Sequence, residues 1–251
     1  NVSKIDTKWC FLSSLLNVVV SPSNKHFKYL DERRQIIIGK SDTKSDIFDT
    51  IVFVDRSSTY ITIPNFIKYI YSSAFENCDY LRGIKIPDDS ELDTIPDFFA
   101  NESIKSIFIP RNVERMKSRW CCKSSKLTNV IISPFNKNFK YLDDEHQIII
   151  GKSDAKSDMF DTIMFASRNI QRATIPKNIK HIKSYAFDNC EQLNSLDIQK
   201  DSELEKIGKF AFSKSALKSI IIPKSVSKIS RCLFFSCEFL SNVSFEEGSK
   251  L

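Results

Sequence analysis

The sequence predicts a β-rich solenoid, in which short coils of chain stack on one another around one shared core. Three observations carry this expectation. A hydrophobic period of 23 or 24 residues is punctuated by Ile-Pro, a longer segment recurs at an offset of 112 residues, and apolar positions fall two apart just before each Ile-Pro.

The short period is clearest at Ile63-Pro64, Ile86-Pro87, Ile109-Pro110, Ile175-Pro176 and Ile222-Pro223, with Ser133-Pro134 and Ile198-Gln199 as degenerate versions. One unit reads Leu81-x-x-Ile84-x-Ile86-Pro87, then Leu92-x-x-Ile95, then Phe98-Phe99. Its leading part recurs from Ile104, Leu127, Leu193, Leu217 and Leu240. Side chains two apart on a strand share a face, so Ile84 and Ile86 point one way and Lys85 the other. Proline has no ladder donor and ends the strand. Ile67-x-x-Ile70 and Ala74-Phe75 then return the chain along the opposite side. Ala186-Phe187 and Ala211-Phe212 mark the same return, expected as short helical turns. Cys78 and Cys190 follow at matching places, where a small buried thiol fits. No single unit buries its own apolar face, so neighbours must supply the cover.

The longer repeat aligns Asn24–Phe53 with Asn136–Phe165, where 23 of 30 positions are identical. Each copy sits in an interval of 42 residues between prolines, Pro22 to Pro64 and Pro134 to Pro176. Gln35–Gly39 and Thr50–Phe53 are two strand candidates flanking the polar run Lys40–Asp46. This pattern predicts a hairpin-like enlarged repeat in each copy.

The unit Leu-x-x-Ile-x-Ile-Pro, Ile-x-x-Ile, Ala-Phe-x-x-Cys-x-x-Leu resembles the BspA-type leucine-rich repeat. Its fullest copy is Ile63-Pro64, Ile67, Ile70, Ala74-Phe75, Cys78, Leu81, Ile84 and Ile86-Pro87. A second copy runs from Ile175-Pro176 through Ile179, Ile182, Ala186-Phe187, Cys190, Leu193 and Leu196 to Ile198. The expected fold is therefore a leucine-rich-repeat solenoid, an α/β repeat rich in β. It would be a curved right-handed superhelix with a concave parallel sheet, short helical turns on the returning side and two hairpin-like enlarged repeats. One domain is expected over residues 1–251, duplicated at about 1–111 and 112–251, with both ends falling inside a repeat. The chain has few Gly, and Trp9-Cys10 and Trp120-Cys121 stand near the Ala-Phe slot, both departures from the typical unit. Proteins of this type occur on bacterial and protist cells, often as surface antigens linked to adhesion, and the Lys-, Ile-, Asn- and Phe-rich composition is similar to the protist members. The resemblance implies a cell-surface or extracellular antigen whose concave face contacts host protein or glycan. A cytoplasmic scaffold that holds a partner protein would use the same solenoid, and repeat physics alone supports both.

The remaining features exclude more than they specify. The net charge of +6 comes from 37 Lys plus Arg against 31 Asp plus Glu, with both signs interspersed. That describes a mildly basic, solvated surface, open to weak attraction by acidic glycans. No nucleic-acid motif accompanies the charge, so no nucleic acid is expected as a partner. No apolar run reaches the ~18–20 residues of a membrane span, so this segment is not expected to insert into a membrane. Incomplete repeats at the two ends are expected to fray or to associate end to end.

The 7 Cys include no Cys-x-x-Cys, and the 3 His are scattered, so neither a disulfide framework nor a zinc set is expected. Asp42, Asp46 and Asp49, matched by Asp154, Asp158 and Asp161, fit no calcium loop and read as a solvated polar connection. No phosphate loop, dinucleotide fingerprint, nucleophile elbow or metalloprotease motif occurs, so no catalytic residue, metal or cofactor is expected. Sequons at Asn1, Asn101 and Asn242 are compatible with an extracellular setting.

The candidate binding residues are those that alternate away from the core in successive strands. At the repeat spacing, Thr62, Lys85, Phe108 and Ile131 form one column, and Tyr60, Gly83, Ser106 and Asn129 a second. Thr59, Arg82, Lys105 and Thr128 form a third, and Arg172, Thr174, Asn194, Asp197, Lys218 and Ile221 are the counterparts in the second half. Phe108 and Ile131 with Lys85, Lys105 and Arg82 would make an apolar anchor with a basic rim. The alternative is that Phe108 and Ile131 only suit a strand or lie under a neighbouring segment.

Overall fold

The computed structural model describes residues 2–11, 13, 15–154, 156–249 and 251. Asn1, the acceptor of the first sequon, lies outside them. The described chain is strand and turn throughout, in two compact units, Asn1–Asn136 and Lys137–Leu251.

In the first unit the strands are β1 (Phe27–Tyr29), β2 (Ile36–Gly39), β3 (Thr50–Val54), β4 (Tyr60–Thr62), β5 (Tyr69–Ile70), β6 (Gly83–Lys85), β7 (Thr94–Ile95), β8 (Ser106–Ile109), β9 (Arg115–Met116) and β10 (Asn129–Ile132). Each coil contributes two strands. The longer one ends at the Ile-Pro and the shorter one lies in the return. The longer strands pair in parallel, β4 with β6 and β8 with β10, and β6 lies against β8. The shorter ones form a second column, with β3 parallel to β5 and β7 parallel to β9.

The second unit repeats this plan. It holds β11 (Phe139–Tyr141), β12 (Ile148–Gly151), β13 (Thr162–Ala166), β14 (Arg172–Ile175), β15 (His181–Ile182), β16 (Ser195–Ile198), β17 (Lys206–Ile207), β18 (Ser219–Ile222), β19 (Lys228–Ile229) and β20 (Asn242–Phe245). The longer strands pair β14 with β16 and β18 with β20, and the shorter column runs β13–β15–β17–β19.

The enlarged repeats are hairpins, as expected, and each gains a strand. β1, β2 and β3 form an antiparallel meander, as do β11, β12 and β13. The first strand, Phe-Lys-Tyr, is too short to show a period of its own. It has a specific task, because Phe27 stands opposite Gly39 and Phe139 opposite Gly151. A Cβ on Gly39 would meet the Phe27 ring at 2.9 Å, and one on Gly151 would meet Phe139 at 3.0 Å. Each ring thus covers the bare backbone of the glycine facing it. The meander feeds the shorter column, not the Ile-Pro column.

The returning side is made of isolated i→i+3 turns that never extend into a helix. Around Ala74, the amides of Ala74, Glu76, Cys78 and Leu81 donate to the carbonyls of Tyr71, Ser73, Phe75 and Cys78. The expected short helical turns are therefore single turns. Asn77 and Asn189, with φ of 59° and 56°, occupy the left-handed region that asparagine tolerates, which lets the chain turn into the Cys78 and Cys190 slots.

The core lies between the two columns. Ile63, Ile67, Ala74, Cys78 and Leu81 are fully buried, as are Ile175, Ile179, Ala186, Cys190 and Leu193. Aromatic rings run through it. Phe75 meets Phe99 edge-on with centroids 5.0 Å apart, and Phe187, Phe212 and Phe234 stack at 5.3 and 6.0 Å. Val243 and Phe245 share the register of Ile220 and Ile222 yet are exposed.

Two buried arginines at equivalent places in the duplication escaped the sequence reading. Arg56 donates to the carbonyls of Val54, Ala74 and Ser73, and its Nη1 lies 3.2 Å from Cys78 Sγ. Arg168 donates to Ala166, Ala186 and Tyr185, with Cys190 Sγ at 3.8 Å. Each guanidinium also lies over the preceding phenylalanine, at 4.4 Å from Phe53 and 4.7 Å from Phe165. The arginine thus ties the last strand of the meander to the turn of the following coil.

Cys78 and Cys190 are free thiols without solvent exposure. Burial pushes both up to about 11, against the opposing pull of Arg56 and Arg168. A thiolate is the reactive form, so both should resist modification near neutral pH. A maleimide applied to the folded chain is expected to reach Cys232, which is exposed, and to reach Cys78 and Cys190 only after denaturation. Peptide mapping would show it, and prompt labelling of either buried thiol in the folded state would refute the assignment.

The polar runs of the meanders are less solvated than expected. Asp49 and Asp161 are buried, and each accepts from both the amide and hydroxyl of a serine, Ser41 or Ser153, and from the adjacent threonine hydroxyl. They close the loop between the second and third strands. Asp42 and Asp46 stay exposed and turn to other partners, the Lys44 amide and the Lys40 ammonium.

Candidate functional site

The parallel register pairs members of the predicted columns within two ladders, β4 with β6 and β8 with β10. Tyr60 pairs with Gly83 and Thr62 with Lys85, while Ser106 pairs with Asn129 and Phe108 with Ile131. The intervening Ile61, Ile84, Ile107 and Val130 are buried, so the partners between them face outward. In the third column the Arg82 amide donates to the Thr59 carbonyl and the Thr128 amide to the Lys105 carbonyl.

Members of the first two columns line a shallow groove of about 500 Å³ whose apolar floor is Tyr60, Phe108 and Ile131. Tyr60 is 65% exposed and Ile131 43%, and Phe108 is half-buried. The Phe108–Ile131 pair is therefore on the outer face and not in the core. The Tyr60 ring lies on Gly83, where a Cβ would meet it at 3.0 Å, so the glycine lets the tyrosine lie flat across the sheet. Arg82, Lys85 and Lys105 are exposed and form no ion pair among the described residues. Asn129 is exposed beside them.

In the second unit Arg172 and Thr174 pair with Ser195 and Asp197, and Ile221 pairs with Ser244. Arg172, Lys218 and Ile221 are exposed, the last by 64%. This face carries an exposed aliphatic residue, Ile221, but no aromatic residue among those predicted.

A feature missed in the sequence lies on the shorter column of the second unit. His181, Lys206 and Lys228 occupy one register line across β15, β17 and β19. The signal was present in the residue just before the closing isoleucine of the returns Ile179-x-x-Ile182, Leu204-x-x-Ile207 and Val226-x-x-Ile229, which is His181, Lys206 and Lys228. Asp161 lies at the end of this line. Burial would raise its carboxyl, but the Ser153 and Thr162 hydrogen bonds and the charge of His181 outweigh it and hold it below the usual carboxylate range. Among the described residues no group of three or more His, Cys, Asp or Glu is arranged to hold a metal ion.

The model of the BspA type leucine rich repeat region matches residues 23–145 and 159–250 in 6 copies. No curated protein matches the chain. Among solved structures, the pneumococcal vaccine antigen PcpA is similar, with a TM-score of 0.60 and 20% identity over 76% of this chain and 52% of that one. A leucine-rich repeat protein from Eubacterium ventriosum is equally similar, with a TM-score of 0.60 and 20% identity over 74% of this chain and 54% of that one. The chain thus spans about half the length of either structure. These likenesses concern the fold. No helix among the described residues is long and apolar enough to cross a membrane.

Proposed function

We propose, from the premise that this chain belongs to the BspA-type leucine-rich-repeat family, that it is a non-enzymatic binding and adhesion module of a cell-surface protein. Its ligand is a protein or glycan on a host or neighbouring cell, and the outer face of β4, β6, β8 and β10 engages it. The observation that carries this reading is the groove lined by Tyr60, Phe108, Ile131 and Lys85, with Arg82 and Lys105 exposed at the start of the same coils' strands. Exposed aromatic and aliphatic groups ringed by cations are the usual make-up of a protein-binding patch. A surface location is supported by the family and by the similarity to a vaccine antigen.

The double change Phe108→Ser with Ile131→Ser tests the face. The variant is expected to keep its fold and to lose at least about tenfold in binding to cells, the size of one modest hot spot. Undiminished binding by the folded variant would remove the face from consideration. Labelling of intact source cells with an impermeant reagent tests the location, and a protein reached only after lysis would point to an internal scaffold.

A further inference from the structure

The shorter column of the second unit gathers positive charge in a way the fold itself does not require. In a parallel ladder, directly paired residues stand one strand spacing apart, about 4.8 Å. His181, Lys206 and Lys228 therefore form a line of three basic groups roughly 10 Å long, with Lys183 at its side. Like charges facing each other across strands oppose pairing. None of these residues forms an ion pair among the described residues. Nδ1 of His181 is screened from solvent and has no hydrogen-bond partner among the described residues. The equivalent line in the first unit reads Thr50, Tyr69, Thr94 and Arg115, and there the single cation is matched by Asp93 at 2.8 Å. The basic line is thus a property of one copy of the duplication and not of the repeat.

The line borders a groove of about 360 Å³. Its remaining polar lining is hydroxyl, from Ser153, Thr162, Ser184 and Ser230. The floor passes over Gly208, where a Cβ would collide with the Ser184 backbone, so consecutive coils approach closely there. No Phe, Tyr or Trp lines the groove, which leaves no platform for stacked bases.

We propose that this groove binds an anionic glycan chain, whose sulfate or carboxylate groups are held by His181, Lys206 and Lys228 and whose sugar hydroxyls meet the serine and threonine side chains. A linear polyanion fits a line of cations better than a lone small anion does, because several charges are matched at once. This site is separate from the Tyr60–Ile131 face, and neither depends on the other.

The test uses the intact 251-residue chain and immobilised heparin, with chemically desulfated heparin and hyaluronan as further probes. Saturable binding to heparin is expected, and the hyaluronan and desulfated arms show whether sulfate or carboxylate carries it. The Lys206→Ser, Lys228→Ser variant is expected to bind at least about tenfold more weakly, with a salt dependence shallower by roughly 1.5–2 charges. Both lysines are exposed, so its thermal midpoint should match the parent. A Lys206→Arg, Lys228→Arg variant should keep most of the binding. Three outcomes would overturn the proposal. They are absence of saturable binding to any of the glycans, an equal loss in a Lys25→Ser, Lys137→Ser control at two exposed lysines outside both proposed faces, and equal affinity for duplex DNA. The last two would reveal general attraction to a basic protein. Neither the control nor the tested lysines belong to the Tyr60–Ile131 face, so failure here leaves the Phe108 and Ile131 experiment untouched.

Discussion

Arg168→Ala is expected to lower the stability of the second unit by about 3–5 kcal/mol, the range for removing one member of a buried charged network. Its guanidinium reaches the carbonyls of Ala166, Ala186 and Tyr185 at 3.2, 3.1 and 3.3 Å and lies over the Phe165 ring at 4.7 Å. Alanine withdraws these charge-assisted donors at once and leaves a void where the long side chain was packed. It also removes a cation from Asp188, which is buried and whose carboxyl is already raised by desolvation against the pull of Arg168, Ser213, Lys214 and Asn189. Arg168→Lys should recover less than half of the loss, since one ammonium cannot serve carbonyls set at the angles of a planar fork. Arg172→Ala, on the exposed face, should change stability by no more than about 0.5 kcal/mol. Urea midpoints at unchanged slope give the comparison. A loss below about 1 kcal/mol for Arg168→Ala would mean that water replaces the guanidinium and that the clip is dispensable.

Phe212→Ala should destabilise the same unit by about 3–5 kcal/mol, the usual range for a buried phenylalanine. Phe212 has no solvent exposure and stacks between Phe187 and Phe234. In a solenoid each coil depends on its two neighbours, so a hole in a middle coil deprives the coils on both sides. Phe212→Leu keeps most of the volume and should cost about 1–1.5 kcal/mol. Phe235→Ala serves as the control, because Phe235 directly follows the stacked Phe234 but is 53% exposed. That change should cost much less than Phe212→Ala. If the two variants were alike in denaturant, the stack would not be the source of cohesion.

Much of this was legible in the sequence because the coils repeat. Ile63, Ile86 and Ile109 announce both the strand and its inward face, and the register that pairs Phe108 with Ile131 follows from the 23-residue spacing. The duplication likewise exposed two enlarged repeats. What stayed hidden was long-range and non-periodic. The Phe27–Tyr29 strand has three residues and takes its conformation from pairing with Ile37–Gly39. Arg56 and Arg168 look like surface cations in a loop. Their recurrence was there to see, but the aligned block ended at Phe53 and Phe165, three residues short. Burial of an arginine depends on carbonyls that the fold turns toward it, and composition does not record those. The basic line of His181, Lys206 and Lys228 was hidden for a different reason. A two-residue strand is too short to display alternation, so the returns do not announce that they too build a continuous face.

The meander at the head of each shorter column has a mechanical consequence. β13 is held on one edge by antiparallel β12 and on the other by parallel β15. Both of its edges are taken, so no further parallel strand can join on the β12 side. The column is consequently a tape with one end pinned. Separation that begins at β19 can run back through β17 and β15, two residues at a time. At β13 it meets an antiparallel pairing four residues long, closed by Phe139 over Gly151 and bolted by Arg168. Coils can be gained or lost beyond that anchor without disturbing it, whereas loss of β11 and β12 would bare the edge of β13. Lengthening by whole 112-residue blocks, each arriving with its own anchor, is the kind of growth this architecture tolerates best.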